Sequence, residues 1–291
     1  MTLKKKNDSE PRNEIDPRND LNDLTSKEWV KRTKSIWYSQ PPQRDKLKIQ
    51  HPATFAESDI EELLLFFTKR GNKVLDPFLG VGSTLIACYN KDRHGIGIEL
   101  INKWVEIARK RVKLVTSQLK LDQINKEERI TQTIIHGDAR EKMKDFNDNE
   151  FDFIVTSPPY WKILRKAVDH KSKQERINKG LPTKYSEHEA DLGNITEYSE
   201  FLNELKRIFA QCYRVLKKKK YMCVIITDFR IRQRFIMYHA DLAQRICELG
   251  FILKAANILV QDSKTLYPYG YPFDYVPNVH HQFILIFRKP E

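Results

Sequence analysis

KVLDPFLGVGSTLIAC, residues 73–88, decides the fold. Residues 73–75 are a short apolar run of strand type, and Asp76-Pro77 stops it, because proline cannot extend a sheet ladder. A loop dotted with Gly80 and Gly82 follows, and it opens a helix through Leu85, Ile86 and Cys88. Glycine permits positive φ and lets the backbone approach a ligand. The helix N-terminus, where Ser83 and Thr84 stand, favours negative groups such as a carboxylate. The loop has neither the G-x-G-x-x-G of dinucleotide folds nor the GK[ST] of a P-loop, so by itself it reads equally as a tight structural turn.

Outward from this unit the same rhythm repeats. Upstream, Ile60, Leu63, Leu64 and Phe67 keep the spacing of one helix face, with Ser58 and Glu61 at capping-box distance and Gly71 at the end. Downstream, residues 94–98 form a second strand ending at Glu99. Trp104, Ile107, Ala108, Val112 and Val115 mark a helix. Residues 133–135 are a third strand, followed by Gly137-Asp138-Ala139, and residues 151–155 are a fourth. A helix through Phe201, Leu205, Ile208, Phe209, Cys212 and Val215 comes next, with the lysines at 217–220 placed to cap its C-terminus. A strand at 221–226, a helix around 240–249 and strands near 251–260 and 281–288 finish the pattern. Strand, loop and helix in alternation predict an α/β, Rossmann-like doubly wound sheet. Ligands of such sheets lie beyond the carboxyl ends of the strands, and here those ends carry Asp76, Glu99, Asp138 and Ser157.

These residues narrow the ligand. An acid about 20 residues after the loop, as Glu99 is after Asp76, commonly grips ribose hydroxyls. Asp138 is placed to accept from an adenine amino group. Glycine loop, ribose acid and third-strand aspartate together describe a nucleoside pocket. The fourth strand runs into VTSPPYWK, residues 155–162. Paired prolines fix φ and remove donors, so this turn offers carbonyls and a ring face.

The chain has 291 residues and a net charge of +12. Such a bias fits a polyanionic partner, above all nucleic acid; a generally lysine-rich proteome is the competing explanation. The four cysteines form no C-x-x-C pair, so they indicate neither a zinc knuckle nor a disulfide framework. His280 and His281 lack a third ligand, and no metal is expected. No apolar run reaches membrane-span length and the N-terminus lacks a signal core, which predicts a cytoplasmic protein with no membrane partner.

DPFLGVGST, GIGIEL, HGDA and TSPPYW, in this order, resemble the amino-methylating DNA methyltransferases that use S-adenosylmethionine. HPATF at 51–55 is similar to their additional cofactor motif, although the family often has proline where Ala56 stands. The resemblance implies a class I methyltransferase fold. Asp76, Phe78, Gly80, Gly82, Ser83 and Thr84 would line the methionine and sulfonium end, and Thr54 with Phe55 would help close it. Glu99 would hold the ribose, and Asp138 and Ala139 would face the adenine. Ser157, Pro158, Pro159 and Tyr160 would form the catalytic turn.

The chemistry accounts for those residue types. An exocyclic amine on a nucleobase is a poor nucleophile, because its lone pair is delocalised into the ring. The Ser157 hydroxyl and the Pro158 carbonyl are placed to accept its hydrogens and tilt that lone pair toward a methyl donor. Tyr160 can stack on the base, which must leave the duplex to be reached, with Trp161 supporting that face. No Pro-Cys pair exists to attack a pyrimidine carbon. In the family SPPY goes mostly with cytosine N4, and DPPY or NPPY with adenine N6. The resemblance therefore implies N4-cytosine methylation of double-stranded DNA, with N6-adenine or RNA methylation as alternatives.

Residues 1–34 read as a basic, partly mobile arm, with a short helix over 25–37 started by a Thr25–Glu28 capping box, and 35–291 as the methyltransferase domain. Within that domain 162–195 is a basic stretch without apolar periodicity, an insertion suited to DNA recognition. Trp161, Lys162, Arg165 and Lys166 at its start, with Arg230, Arg232 and Arg234, are the candidate DNA contacts. An arginine there either reads guanine or holds phosphate. In TLYPYGYPFDYVPNVHHQ, 265–282, the tyrosines at 267, 269, 271 and 275 either pack a surface loop or stack on an extruded base. A cognate restriction endonuclease and a second copy of the chain are the further candidate partners.

Overall fold

In the computed structural model, residues 14–40, 47–51, 55–118, 130–161, 178, 188–231 and 233–291 are described. The runs read as strands assemble side by side: β1 (Ile36–Tyr38), β2 (Lys73–Asp76), β3 (His94–Glu99), β4 (Gln132–His136), β5 (Phe151–Thr156), β6 (Leu216–Ile226), β9 (Ile252–Val260) and β10 (His281–Arg288). Their order is β1-β9-β10-β6-β5-β2-β3-β4, while β7 (Phe229–Ile231) and β8 (Arg234–Ile236) form a separate antiparallel hairpin. Every neighbour in the large sheet is parallel except β10, which runs against both β6 and β9.

The helices are α1 (Ser26–Arg32), α2 (Glu57–Phe67), α3 (Ser83–Asn90), α4 (Asn102–Gln118), α5 (Ala139–Lys142), α6 (Tyr198–Val215) and α7 (Tyr238–Cys247). They cover both faces. In β6, Met222, Val224 and Ile226 join the core beneath α6 and α7, whereas Cys223 and Ile225 join the core beneath α2. That alternation is the strand period of two, and its two-sided burial is what a doubly wound sheet requires. The expected Rossmann-like class holds.

Several local expectations change. α2 begins at Glu57 behind Ala56 with no side-chain cap, so the Ser58–Glu61 box does not form. Glu61 instead accepts from Asn90 and pairs with Lys91. The helix stops at Phe67, short of Gly71. The Thr25–Glu28 box does form, but α1 closes at Arg32 and the chain then makes β1 on the sheet's edge, parallel to β9. In the arm, Trp29 leans on Phe66 and Arg32 reaches Glu62. Asn22 is fully buried and donates to the Phe66 carbonyl at 2.5 Å, and Leu24 is buried beside it. The lysines at 217–220 lie inside β6 rather than capping α6, with Lys217 paired to Asp152 at 2.7 Å. Cys88, Cys212 and Cys223 are buried free thiols. Among the described residues no helix is long and apolar enough to cross a membrane.

Antiparallel β10 has a positional consequence. Phe283 faces Ile226 across the β10–β6 pair, and His281 faces Val260 across the β10–β9 pair. The end of β9 and the start of β10 therefore sit on the rim where β2 to β6 finish.

Candidate active site

The site begins with a buried acid. Asp76 ends β2 with no solvent exposure, and its carboxylate accepts from the Phe78 N–H at 3.0 Å, the Thr84 hydroxyl at 2.6 Å and the Thr156 hydroxyl at 2.6 Å. Burial pushes its pKa up to about 6 against those donors. Asp76 thus ties the glycine loop, the start of α3 and the end of β5 together. Asp76 and Thr84 stand behind the residues that line the cavity described below. Gly82 also lies behind it. Its φ is +88°, and a Cβ there would come within 3.2 Å of the Ala108 Cβ on α4, so close helix packing demands the glycine.

Gly80, with φ +57°, does line the cavity, and its N–H donates to one Glu99 oxygen at 2.8 Å. The Ile101 N–H donates to the other at 2.8 Å. Burial raises Glu99 to about 7, because two backbone donors offset only part of the desolvation. Asp138 caps α5 through the Arg140 N–H, and the Arg140 guanidinium grips both its oxygens while also reaching Glu204 at 2.7 Å. Burial works to raise Asp138, but Arg140 outweighs it and the carboxyl titrates below its usual range.

These groups open on one cavity of ≈ 480 Å³, well sized for a small-molecule ligand. Phe78, Gly80, Ser83, Glu99, Asp138 and Ala139 line one end, with Phe55, His51 and Trp104 beside them. Ser157, Pro158, Pro159 and Tyr160, at the end of β5, line the middle of the rim. Tyr238 donates to the Pro159 carbonyl at 3.4 Å from the core behind the turn. Tyr160 is buried, edge-on to Tyr238, and its hydroxyl accepts from Gln282 at 3.4 Å. Burial raises the Tyr160 pKa. Trp161 turns away: its indole N–H donates to the Ile195 carbonyl at 3.0 Å and its ring leans on Tyr198. The indole N–H and one side of the ring are thus engaged by the protein itself.

Arg230 and Arg234 stand on the β7–β8 hairpin, outside the cavity; Arg230 is tied to the Gln233 carbonyl at 3.1 Å and Arg234 is exposed. Thr54, Lys162, Arg165, Lys166 and Arg232 fall outside the described residues.

The sequence reading missed three groups. First, Thr227, Gln261, Lys264 and Gln282 line the cavity beyond the catalytic turn, contributed by the ends of β6 and β9 and the start of β10. Gln261 donates to Gln282 at 3.1 Å, and the Gln261 side-chain carbonyl oxygen is buried with no hydrogen-bond partner among the described residues. Secondly, Glu57 accepts from Ser83 at 2.8 Å and Arg111 at 2.6 Å and pairs with Lys48, bracing the glycine loop from below. Burial works to raise Glu57, but the cations outweigh it and hold it below its usual range. Arg111 follows Ile107 by four on the apolar face of α4, a misplaced charge that was a usable signal. Thirdly, His239 bonds both Asp228 oxygens at 2.7 and 2.8 Å and stacks on Phe283, just outside the cavity.

The donor set suits a nucleoside-bearing cofactor. Each Glu99 oxygen takes one backbone N–H and keeps acceptor capacity toward the cavity. Phe78 and Ile98 supply apolar wall beside it.

A family model described as DNA methylase, of the N6/N4 kind, matches residues 2–110 and 151–291. The type II methyltransferase M.BglI of Bacillus subtilis is 32% identical over 94 residues, covering 32% of this chain and 26% of that protein. The type II methyltransferase M.Cfr9I of Citrobacter freundii is 45% identical over 58 residues, covering 20% and 19%. The matches thus span about a quarter or less of these relatives' length. A solved structure from Thermus thermophilus, described as a putative DNA modification methylase complexed with S-adenosyl-L-methionine, is 25% identical, covers 53% of this chain and 54% of that one, and has a TM-score of 0.37.

Proposed function

Because the chain belongs to the DNA methylase family, whose methyl donor is S-adenosylmethionine, we propose that it methylates the exocyclic N4 amine of cytosine at a specific site in double-stranded DNA. The observation that carries this reading is one cavity shared by Glu99 and the Ser157–Tyr160 turn. Bound there, the cofactor supplies an electrophilic methyl group on sulfonium. Glu99 accepts from the ribose hydroxyls. Gly80 and Phe78 line the methionine side, and Asp138, held by Arg140, faces the adenine.

The base enters from the other end. The Ser157 hydroxyl and the Pro158 carbonyl accept the two amine hydrogens and turn the nitrogen lone pair toward the methyl group. The nitrogen would bond the methyl carbon as that carbon's bond to sulfur breaks, the methylated amine would release one proton past the Ser157 hydroxyl to solvent, and no covalent enzyme adduct is needed. Tyr160, fixed by Gln282 and backed by Tyr238, supplies the ring against which the base lies. Gln261, Gln282, Thr227 and Lys264 offer hydrogen-bonding groups for the remaining edge of the base. Serine at the head of the turn favours cytosine over adenine by likeness to SPPY members of the family.

The test is chemical. Plasmid DNA treated with the protein and deuteromethyl cofactor is digested to nucleosides and weighed by mass spectrometry. N4-methylcytosine is the expected product. Label confined to N6-methyladenine would move the reaction to the other amine, and label in RNA alone would overturn the DNA reading. The modified site, once read, is expected to resist a restriction endonuclease of the same specificity.

A further inference from the structure

The segment 261–280 leaves the end of β9 and returns to the start of β10. Its roots belong to the catalytic cavity, which Gln261, Lys264 and Gln282 all line. Its tip does the opposite of what surface loops usually do. Phe273 is 95% exposed, Tyr275 83%, Tyr271 81% and Leu266 65%. Clustered apolar exposure of this kind marks an interaction surface.

The tip is also built. Asn278 closes the neck, accepting from the Tyr267 N–H at 3.0 Å and donating to the Tyr267 carbonyl at 2.8 Å. The Gly270 carbonyl takes the N–H groups of Phe273 and Asp274 at 2.7 and 2.8 Å. A Cβ on Gly270 would lie 2.2 Å from the Asp274 carbonyl oxygen, and its φ is +77°, so the turn admits only glycine. Backbone bonds therefore hold rings outward that burial would otherwise draw in.

Position selects the occupant. A base inside a duplex cannot reach a buried turn, so it must be extruded beside the cavity mouth, and its departure leaves a gap in the stack. Flat apolar side chains fill such gaps and unstack the neighbouring step. The rings stand on the loop whose ends form the cavity's base-side wall, and the chain carries a net charge of +12 to hold a duplex close. We propose that this aromatic tip, with Phe273 foremost, is a wedge that enters duplex DNA next to the target and occupies the place of the flipped base. The inference rests on the DNA methyltransferase reading above, and Phe273 acts as a positioning residue that touches no reacting atom.

The experiment compares two substrates of the same sequence, one with the target base paired and one with it opposite an abasic site. For Phe273→Ala, transfer to the paired target is expected to fall about 10- to 100-fold, while transfer to the unpaired target changes by less than about 3-fold, because no pairing opposes extrusion there. Phe273→Trp is expected to restore the paired substrate. Equal losses on both substrates, no loss on the paired one, or a loss explained by a dimer falling apart in light scattering would each overturn the wedge. A wild-type protein that methylates neither substrate, but another polymer, instead breaks the reading on which the wedge depends.

Discussion

Where β2, β3 and β4 end, the cavity is walled by carboxylates: Glu99 and Asp138 face it and Asp76 stands behind. Where β5, β6 and β9 end and β10 begins, it is walled by Ser157, Thr227, Gln261 and Gln282, with Lys264 the charged exception. The acids are tolerated only because fixed donors hold them: two backbone N–H groups for Glu99, a guanidinium for Asp138, two hydroxyls and an N–H for Asp76. Such a wall fits a ligand with hydroxyl and amino donors that binds the same way every turnover. Hydroxyls and amides cost less to desolvate, which suits a neutral base that arrives from a stack and must leave again.

This division is breakable. Ser157→Ala is the heaviest blow, expected to slow single-turnover methyl transfer by about 100-fold or more, the scale of one lost transition-state hydrogen bond, while leaving the cofactor dissociation constant within about twofold. A parallel loss of cofactor affinity would dissolve the distinction between the two ends. Glu99→Ala is the mirror experiment. Calorimetry should find cofactor binding weakened about 10- to 100-fold, the scale of hydrogen bonds to a charged group, with turnover at saturating cofactor nearly kept.

Asp76→Asn tests the tie between the ends. Replacing one acceptor oxygen by a donor amide opposite buried donors should cost about 1–3 kcal/mol in urea unfolding, and should disturb both cofactor affinity and transfer rate. A change confined to one of the two would mean that Asp76 does not couple them.

Acidity offers a gentler probe. Asp76 at about 6 and Glu99 at about 7 lie above their ordinary values of 3.8 and 4.5. The folded chain therefore keeps protons that the unfolded chain releases, so this contribution to stability is complete below about pH 4 and is lost as pH rises through 6 to 7. Hydroxyl donors favour the ionised Glu99, so cofactor affinity is expected to climb between pH 6 and 8, and Glu99→Ala should flatten the climb. Arg234→Ala is the smallest effect expected: a few-fold weaker DNA binding, with the salt dependence shallower by about one phosphate contact.

Most of the strands, the two-faced sheet and the strand-end positions of Asp76, Glu99, Asp138 and Ser157 were legible because each rests on a local period or a stop signal. Phe151–Thr156 is buried at all six positions and reads as a central strand without help. What escaped depends on distance. An acid after a strand looks the same in sequence whether it faces a ligand or, as Asp76 does, hydroxyls 8 and 80 residues away. Gln261 and Gln282 meet only because β9 and β10 pair antiparallel. β1 has three residues, too few to show a period. The lysines at 217–220 hid the first half of β6, since an exposed strand end carries no burial pattern.

That short β1 covers part of β9. Without it, β9 would be a bare edge, and unpaired edges invite strand addition and aggregation. The chain treats the two halves of this edge differently. Ile258, Leu259 and Val260 are covered by Ile36, Trp37 and Tyr38. Beside the other half no strand pairs among the described residues; it exposes Ile252 and Leu253, with Lys254 between them and the rest of the strand, a charge that a docking strand would have to desolvate. β1 thus shields part of this edge, and deleting residues 36–38 is expected to raise self-association, read by light scattering.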